Sequence, residues 1–405
     1  VAKEKRKLKL SVFVETTPEL AFESVTQASE LREWFSDQAW TQVEPGGRYA
    51  VRWNQGYMVE GTFKTLDPPH KAAVTWRGTG DPGKTTVKFR VKARDDGGAK
   101  VTVIHSGFGA GKKWDRAVQE AEKGWKLGLE NLQSTAKTGV DQRIARQPFL
   151  GIYPSVLNAE QAAKEGIAVE EGIYVNGTLD DSGARAAGLD KGDVIVAISG
   201  AATPSFQALN DAVRPHRAGD VVDVELVRGQ ELETVQLTLG KRPMPDVPDT
   251  AEGLAQLIAD QYKDTDAEVR AAVEGLTEEE AEQCPAEDEW SVKQVLAHLS
   301  VVERDTQSNV SAAALYGWQD GGAGNPTVTP GRLAAVLAME PSLEGLLERY
   351  FADERETVEL VRGLPEETPA HKARYHRIGQ GLIFLPLHTR GHIAQIQDIV
   401  KAVRG

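Results

Sequence analysis

The chain has 405 residues, 40% hydrophobic and 26% charged, with a formal net charge of −13; this is ordinary globular composition at a length for about two to four domains. It holds no run of about 18 apolar residues, which excludes a hydropathic membrane span. Cys284 is the single cysteine, which excludes an internal disulfide and a cysteine-rich zinc cluster and makes a reducing cytoplasm the expected home. The charge is uneven. From Asp246 to Arg404, 28 acidic residues stand against 14 basic ones, a net of −14, while the rest of the chain nets +1; an acidic C-terminal third argues against nucleic-acid binding there.

The basic opening, VAKEKRKLKLSVFVE, lacks the apolar stretch of a signal peptide and leads into a first strand, LKLSVFVETT. TPELAFESVTQASELREWF has helical spacing with Thr17 and Pro18 at its start. Further β-rich runs follow, GRYAVRWN, YMVEGTFKTL, KAAVTWRG, TTVKFRVKA and AKVTVIHSG, bounded by DPP, GDPG and DDGG. In KKWDRAVQEAEKGWKLGLENLQ, the residues Trp114, Val118, Ala121, Trp125, Leu129 and Leu132 recur every three or four positions, so one long amphipathic helix presents two indoles to the sheet. A curved antiparallel sheet gripping a long helix leaves room for a cavity. Trp53, Trp76, His105, Trp114 and Trp125 either line that cavity or fill the core, two arrangements with the same sequence pattern. This order of elements, with EWF, PGGRY and GWKLGLENL, resembles the START-like (SRPBCC) helix-grip fold, in the branch related to the activator of the heat-shock-protein-90 ATPase. The resemblance implies an α+β domain over 1–137 that holds an apolar small molecule or a client protein.

After the polar linker STAKTGVDQRIARQP, residues 148–243 change character. PFLGIYPSV enters a strand, small residues surround short strands in GIYVNGTLDDSGARAAGLDKGDVIVAISG, SFQALNDAVRPH is a helix, and DVVDVELVRGQELETVQLTLG is a hairpin turning near Gly229. FLGI and SGARAAGLDKGDVIVAISG resemble the carboxylate-binding loop and core run of a PDZ domain of the bacterial HtrA-associated type. The resemblance implies strand addition: backbone donors around Leu150, Gly151 and Ile152 hold the C-terminus of a peptide or protein, and Phe206, Leu209 and Val213 shape the pocket for its last side chain. GNSGG is absent, so a protease role does not follow.

KRPMPDVPD is a stiff three-proline linker. From about Thr250 only helices are expected. They are AEGLAQLIADQYKDTDAEVRAAVEGL; SVKQVLAHLSVVERDTQSNVSAAAL, with Ser291 and Gln294 spaced as a capping box; PSLEGLLERYFADERETVELVRGL, after a Gly/Pro-rich loop; and FLPLHTRGHIAQIQDIVKAV, with Pro386 near its first turn. They make an all-α four-helix bundle over 250–405. On the last helix His388 and His392 are about 40° apart and Gln395 extends the seam, beside the apolar face of Ile393, Ile396, Val400 and Val403. His298 borders the apolar face of the second helix, with Asp305 about two turns on. Imidazoles converging from two helices suit Zn²⁺ or Ni²⁺.

EWSVKQVLAHLSVVE and LHTRGHIAQI resemble the two signature regions of the DinB-like metalloprotein superfamily. The resemblance implies a divalent metal on His298, His388 and His392, with Asp305 and Gln395 as groups that hold the ligands, and activation of a small thiol; no catalytic residue is named by it. His371 and His376 are expected in the connection before the last helix. Cys284, among acidic neighbours that raise a thiol pKa, is not expected to be a nucleophile. The expectation is a cytoplasmic multidomain binding protein, of the kind used in stress response, with peptide-binding, client- or ligand-holding and metal-binding modules; the alternative is a metal-dependent thiol S-transferase or hydrolase.

Overall fold

A computed structural model of the chain describes residues 6–95, 97–287, 289–316 and 330–405. The Gly/Pro-rich loop expected before the third long helix falls at 317–329, outside the described residues. The chain divides into two compact units, Val1–Asp141 together with Pro245–Gly405, and Gln142–Met244.

The N-terminal part of the first unit runs β1 (Arg6–Val14), α1 (Pro18–Thr26), α2 (Ala28–Trp34), β2 (Gln38–Thr41), β3 (Arg48–Arg52), β4 (Met58–Asp67), β5 (Lys71–Gly78), β6 (Thr85–Ala93), β7 (Ala99–Phe108) and α3 (Lys112–Thr138). The strands form one antiparallel sheet ordered β1-β7-β6-β5-β4-β3-β2. Strand β2 is four residues long, too short for its alternation to stand out in sequence. Thr17 caps α1, its hydroxyl accepting from the Leu20 N–H, and extended backbone at Gln27 separates α1 from α2. Period-2 alternation sorts the sheet: Val87, Phe89 and Val91 are buried while Lys88, Arg90 and Lys92 are exposed. Against the inner face α3 buries Trp125, Leu129 and Leu132.

The predicted cavity residues do not all meet. Trp125 stacks on Phe35 with ring centroids 5.0 Å apart, Trp76 lies 5.4 Å from Trp125 and 5.7 Å from His105, and Trp53 lies edge-on to Phe35 at 5.1 Å. Trp114 packs on Phe108 instead. It shares a helix face with Trp125 but sits roughly 16 Å further along the axis, so the helix does not bring both indoles to one place. Hydrogen bonds through His105 tie Trp125 to Thr85 and the Trp76 backbone. An indole N–H only donates, so the 3.2 Å bond from Trp125 Nε1 makes His105 Nδ1 the acceptor. His105 Nε2–H then donates to Thr85 Oγ1 at 2.7 Å, and the Thr85 hydroxyl donates to the Trp76 carbonyl at 3.2 Å. Burial pushes the His105 pKa down to about 4, so the ring is neutral in the fold.

The second unit contains α4 (Gln142–Ala145), β8 (Pro148–Phe149), β9 (Ile152–Val156), α5 (Ala159–Glu165), β10 (Ile173–Thr178), α6 (Gly183–Ala186), β11 (Val194–Ile198), β12 (Ala201–Ala202), α7 (Phe206–Val213), β13 (Val221–Arg228), β14 (Glu231–Thr238) and β15 (Gly240–Lys241). Its main sheet is ordered β14-β13-β11-β10-β9, with β12 on β11; β15 pairs with β8. The β13–β14 hairpin turns at Gly229, whose φ is +61°.

The C-terminal part of the first unit is helical: α8 (Ala251–Ala272), α9 (Glu278–Glu282), α10 (Val292–Tyr316), α11 (Pro330–Met339), α12 (Leu343–Arg362) and α13 (Lys372–Arg404). The long helices close a ring in which α10 and α8 each pack on both α12 and α13. The capping box at α10 is reciprocal: Gln294 N–H donates to Ser291 Oγ, and Ser291 N–H to Gln294 Oε1. The last helix differs from expectation. It starts at Lys372, so Pro386 lies inside it rather than near its first turn, and His376 is a buried helical residue. The reason is tertiary. The added turns pack against α2 and α3, where Arg374 and His371 both meet Glu30, and Arg377 meets Glu33 at 3.1 Å.

Glu30 and Arg374 are 8% and 9% exposed. Burial alone would raise the Glu30 pKa, but His371 and the Arg374 guanidinium outweigh it and hold the carboxyl below its ordinary value. Removing the guanidinium leaves a buried carboxylate short of a charged partner, so Arg374→Met is expected to destabilise the first unit by about 3 kcal/mol, with Glu30→Leu added to it recovering most of the loss; urea midpoints of the single and double variants check this. A second prediction follows from His105. Its pKa is lower folded than unfolded, so its contribution is present above the unfolded value near 6.5 and is lost as pH falls towards 4. That is about 3 kcal/mol across the window. His105→Gln, which can accept from Trp125 and donate to Thr85, should flatten the fall in unfolding midpoint between those pH values.

Candidate functional site

Helices α10 and α13 bring His298, His388 and His392 together, their ligand nitrogens all within 4.8 Å of one another. The four-residue spacing on α13 stacks two imidazoles on one face, and His298 reaches them from the neighbouring helix. Nε2 of His388 lies 3.1 Å from Nε2 of His392 and 3.4 Å from Nε2 of His298. Gln395 Oε1 accepts from Nδ1–H of His392 at 2.8 Å. That bond fixes the tautomer and leaves the His392 Nε2 lone pair facing the other rings. Tetrahedral Zn²⁺ with nitrogen ligands needs N···N edges of about 3.3 Å, so the donor set fits a divalent ion.

The site is graded in exposure: His298 is 3% exposed, His392 half-buried and His388 exposed as a residue. Desolvation of its ring, then the neighbouring His392 and His298, push the His388 pKa down to about 4; burial lowers that of His392. Neutral imidazole is the form that ligates metal. Trp290, just ahead of the α10 capping box, packs on both His298 and His392, with centroids 5.1 and 6.5 Å away. It lay in the quoted signature run but carried no signal separating it from a core tryptophan.

Asp305 does not join this group. Its two oxygens accept from Arg332 at 2.7 and 2.8 Å. Arg332 stands on α11, a helix absent from the sequence expectation, and Asp305 lies roughly 10 Å along α10 from His298. Nor do His371 and His376 reach the three clustered histidines. His376 sits roughly 18 Å along α13 from His388, and His371 bonds Glu30. The bundle interior also buries carboxyls that sequence reading missed. Glu303 accepts from Thr357 and Tyr262, and Glu354 from Tyr350 at 2.5 Å. Burial raises Glu303 to about 7 and Glu354 to about 11. Their only advance signal was position, since both fall among apolar helix residues.

In the second unit the candidate loop is tightly built. Gly151 has φ +86°, and a Cβ there would meet Ser182 Cβ at 2.2 Å, which only glycine tolerates. The Leu150 carbonyl accepts from Ala184 N–H at 3.0 Å; that of Gly151 accepts from Leu179 N–H at 2.8 Å and Ser182 Oγ at 3.1 Å. With these carbonyls engaged, the loop's remaining contribution is its N–H groups. Strand β9 follows at the edge of the sheet. Leu150, Ile152, Leu209 and Val213 share one buried cluster, whereas Phe206, at the first position of α7, is 45% exposed.

Three family models match the chain in series: activator of Hsp90 ATPase homolog 1-like protein at residues 15–137, PDZ domain at 148–239 and DinB superfamily at 261–396. A periplasmic serine endoprotease, DegP, of Salmonella typhimurium is 33% identical over 90 residues, 22% of this chain and 19% of that protein. A probable periplasmic serine protease of Haemophilus influenzae is 30% identical over 94 residues, 23% and 20% of the two chains. The chain thus spans about a fifth of the length of these curated relatives. Among solved structures, an HSP90 activator from Plasmodium falciparum shows 20% identity over 32% of this chain and 94% of its own, with a TM-score of 0.28. The Aha1 dimer from Colwellia psychrerythraea shows 15% identity over 33% and 96%, with a TM-score of 0.29. No described helix is long and apolar enough to cross a membrane. The chain is a multidomain protein carrying an Hsp90-ATPase-activator-like domain, a PDZ domain and a DinB-superfamily helical bundle in series.

Proposed function

We propose that this protein is a multidomain binding protein of the cytoplasm in which a divalent metal, Zn²⁺ or Ni²⁺, is held by His298, His388 and His392. The convergence of three Nε2 atoms, with the His392 tautomer set by Gln395, carries this reading. The PDZ domain captures a peptide or protein C-terminus through the N–H groups of Leu150, Gly151 and Ile152, the peptide adding as a strand beside β9. The N-terminal domain holds a client protein or an apolar ligand. The single, exposed Cys284 fits a reducing compartment.

An enzymatic reading is favoured by one observation: His388 is exposed, so the ligand set is open to solvent on one side. A bound divalent ion lowers the pKa of a thiol or water at its open position. The chain's own part is to hold three converging imidazoles, shield one side with Trp290 and leave the His388 side accessible. Thiol transfer that disappears in His298→Ala would support this reading, and full activity in that variant would remove it.

Purified protein loaded with Zn²⁺ or Ni²⁺ and desalted should retain about one equivalent, and His392→Ala less than about a tenth of that. Gln395→Ala keeps all three ligands but frees the tautomer, and is expected to weaken metal affinity about tenfold in a competition titration with a chelating dye. For the PDZ domain, a peptide that binds by its C-terminus should lose most of its affinity when the terminal carboxylate is amidated; unchanged affinity would exclude carboxylate capture.

A further inference from the structure

The outer face of the N-terminal sheet takes no part in the metal and PDZ readings. On β1, β7 and β6 the inward positions form the core, and the twelve outward positions lie side by side in register. Lys9 stands opposite Ile104 and Ile104 opposite Lys88; Ser11, Thr102 and Arg90 form the next row; Phe13, Lys100 and Lys92 the next. Lys7 begins the row that runs through Ser106 and Thr86. These outward positions hold six cations, Lys7, Lys9, Lys88, Arg90, Lys92 and Lys100, and no acid. None of the six forms an ion pair among the described residues, and all but the half-buried Lys100 are exposed. The chain as a whole carries −13, so this concentration runs against its overall charge.

We infer that this face docks an extended acidic segment of a partner protein. Outward residues along one strand repeat every ~6.7 Å, and strands lie ~4.8 Å apart. An extended chain with Asp or Glu at alternate positions repeats its carboxylates at the same interval, so Lys88, Arg90 and Lys92 match three successive acids while cations on β1 and β7 flank them. Single-stranded nucleic acid needs aromatic platforms for its bases. The one aromatic ring at these positions, Phe13, already has the Arg94 guanidinium 4.5 Å and the Lys100 ammonium 5.3 Å from its centroid. Charge complementarity of this kind sets on-rate and specificity and is salt-dependent.

The test uses the full chain and a labelled twelve-residue peptide alternating Glu and Ser. Binding is expected at low salt, weakened about tenfold or more between 50 and 200 mM NaCl. Combined Lys88→Glu, Arg90→Glu and Lys92→Glu should abolish it, while Lys263→Glu, an exposed lysine on α8, leaves it intact. All three positions are solvent-facing, and a circular dichroism melt confirms that the triple variant is folded. Absence of peptide binding, or binding that survives the triple reversal, overturns the proposal. So does preferential binding of oligothymidylate, or of phosphatidylserine vesicles, that the triple reversal removes.

Discussion

One unbroken helix sets the architecture of the first unit. The 33 residues of α13 carry Arg374 and Arg377 near the start, where they meet Glu30 and Glu33 of the N-terminal domain, and His388 and His392 further on, where they meet His298. A helix rises about 1.5 Å per residue and resists bending, so the domain contact and the histidine cluster are fixed relative to each other by a single rod. Pro386 removes one N–H from this rod without ending it. The N-terminal domain and the bundle, far apart in sequence, are consequently parts of one compact body.

Carboxyls are buried in that body by two opposite means. Glu30 stays ionised because its bonds to His371 and the Arg374 guanidinium outweigh desolvation, whereas burial, reinforced by the neighbouring carboxyl of Asp266, keeps Glu354 protonated. The first kind favours folding above the carboxylate's unfolded pKa. The second favours it below that value and opposes it as pH rises. His105 acts in the same direction as Glu30, since its neutral form is the one that fits. The stability of the unit is thus bounded on both sides of neutrality by named groups, and the bundle interior near the histidines is polar as well as apolar.

The sheet of the N-terminal domain uses its alternation twice. Inward, Val87, Phe89 and Val91 join Trp76 and Trp125 in one buried core; outward, the same strand offers Lys88, Arg90 and Lys92. In the PDZ domain one glycine does comparable work. The close approach of Ser182 to Gly151 lets the loop hold its carbonyls inward and begin an edge strand immediately after.

Local pattern determined much of this protein. Period-2 runs and turn residues marked most of the strands, Thr17 and the Ser291–Gln294 pair marked helix starts, and the four-residue spacing of His388 and His392 placed both imidazoles on one helix face. These are properties of neighbouring residues, and neighbours are what a sequence displays. What the tertiary structure decided depended on distant partners. Asp305 belongs to Arg332 because α11 folds over it, and Trp114 belongs to Phe108 because a helix separates residues along its axis even when they share a face. The early start of α13 exists because Glu30 and Glu33 wait for its arginines more than 340 residues away in sequence. Buried charges choose partners by position in space, and spacing along the chain carries no record of that choice.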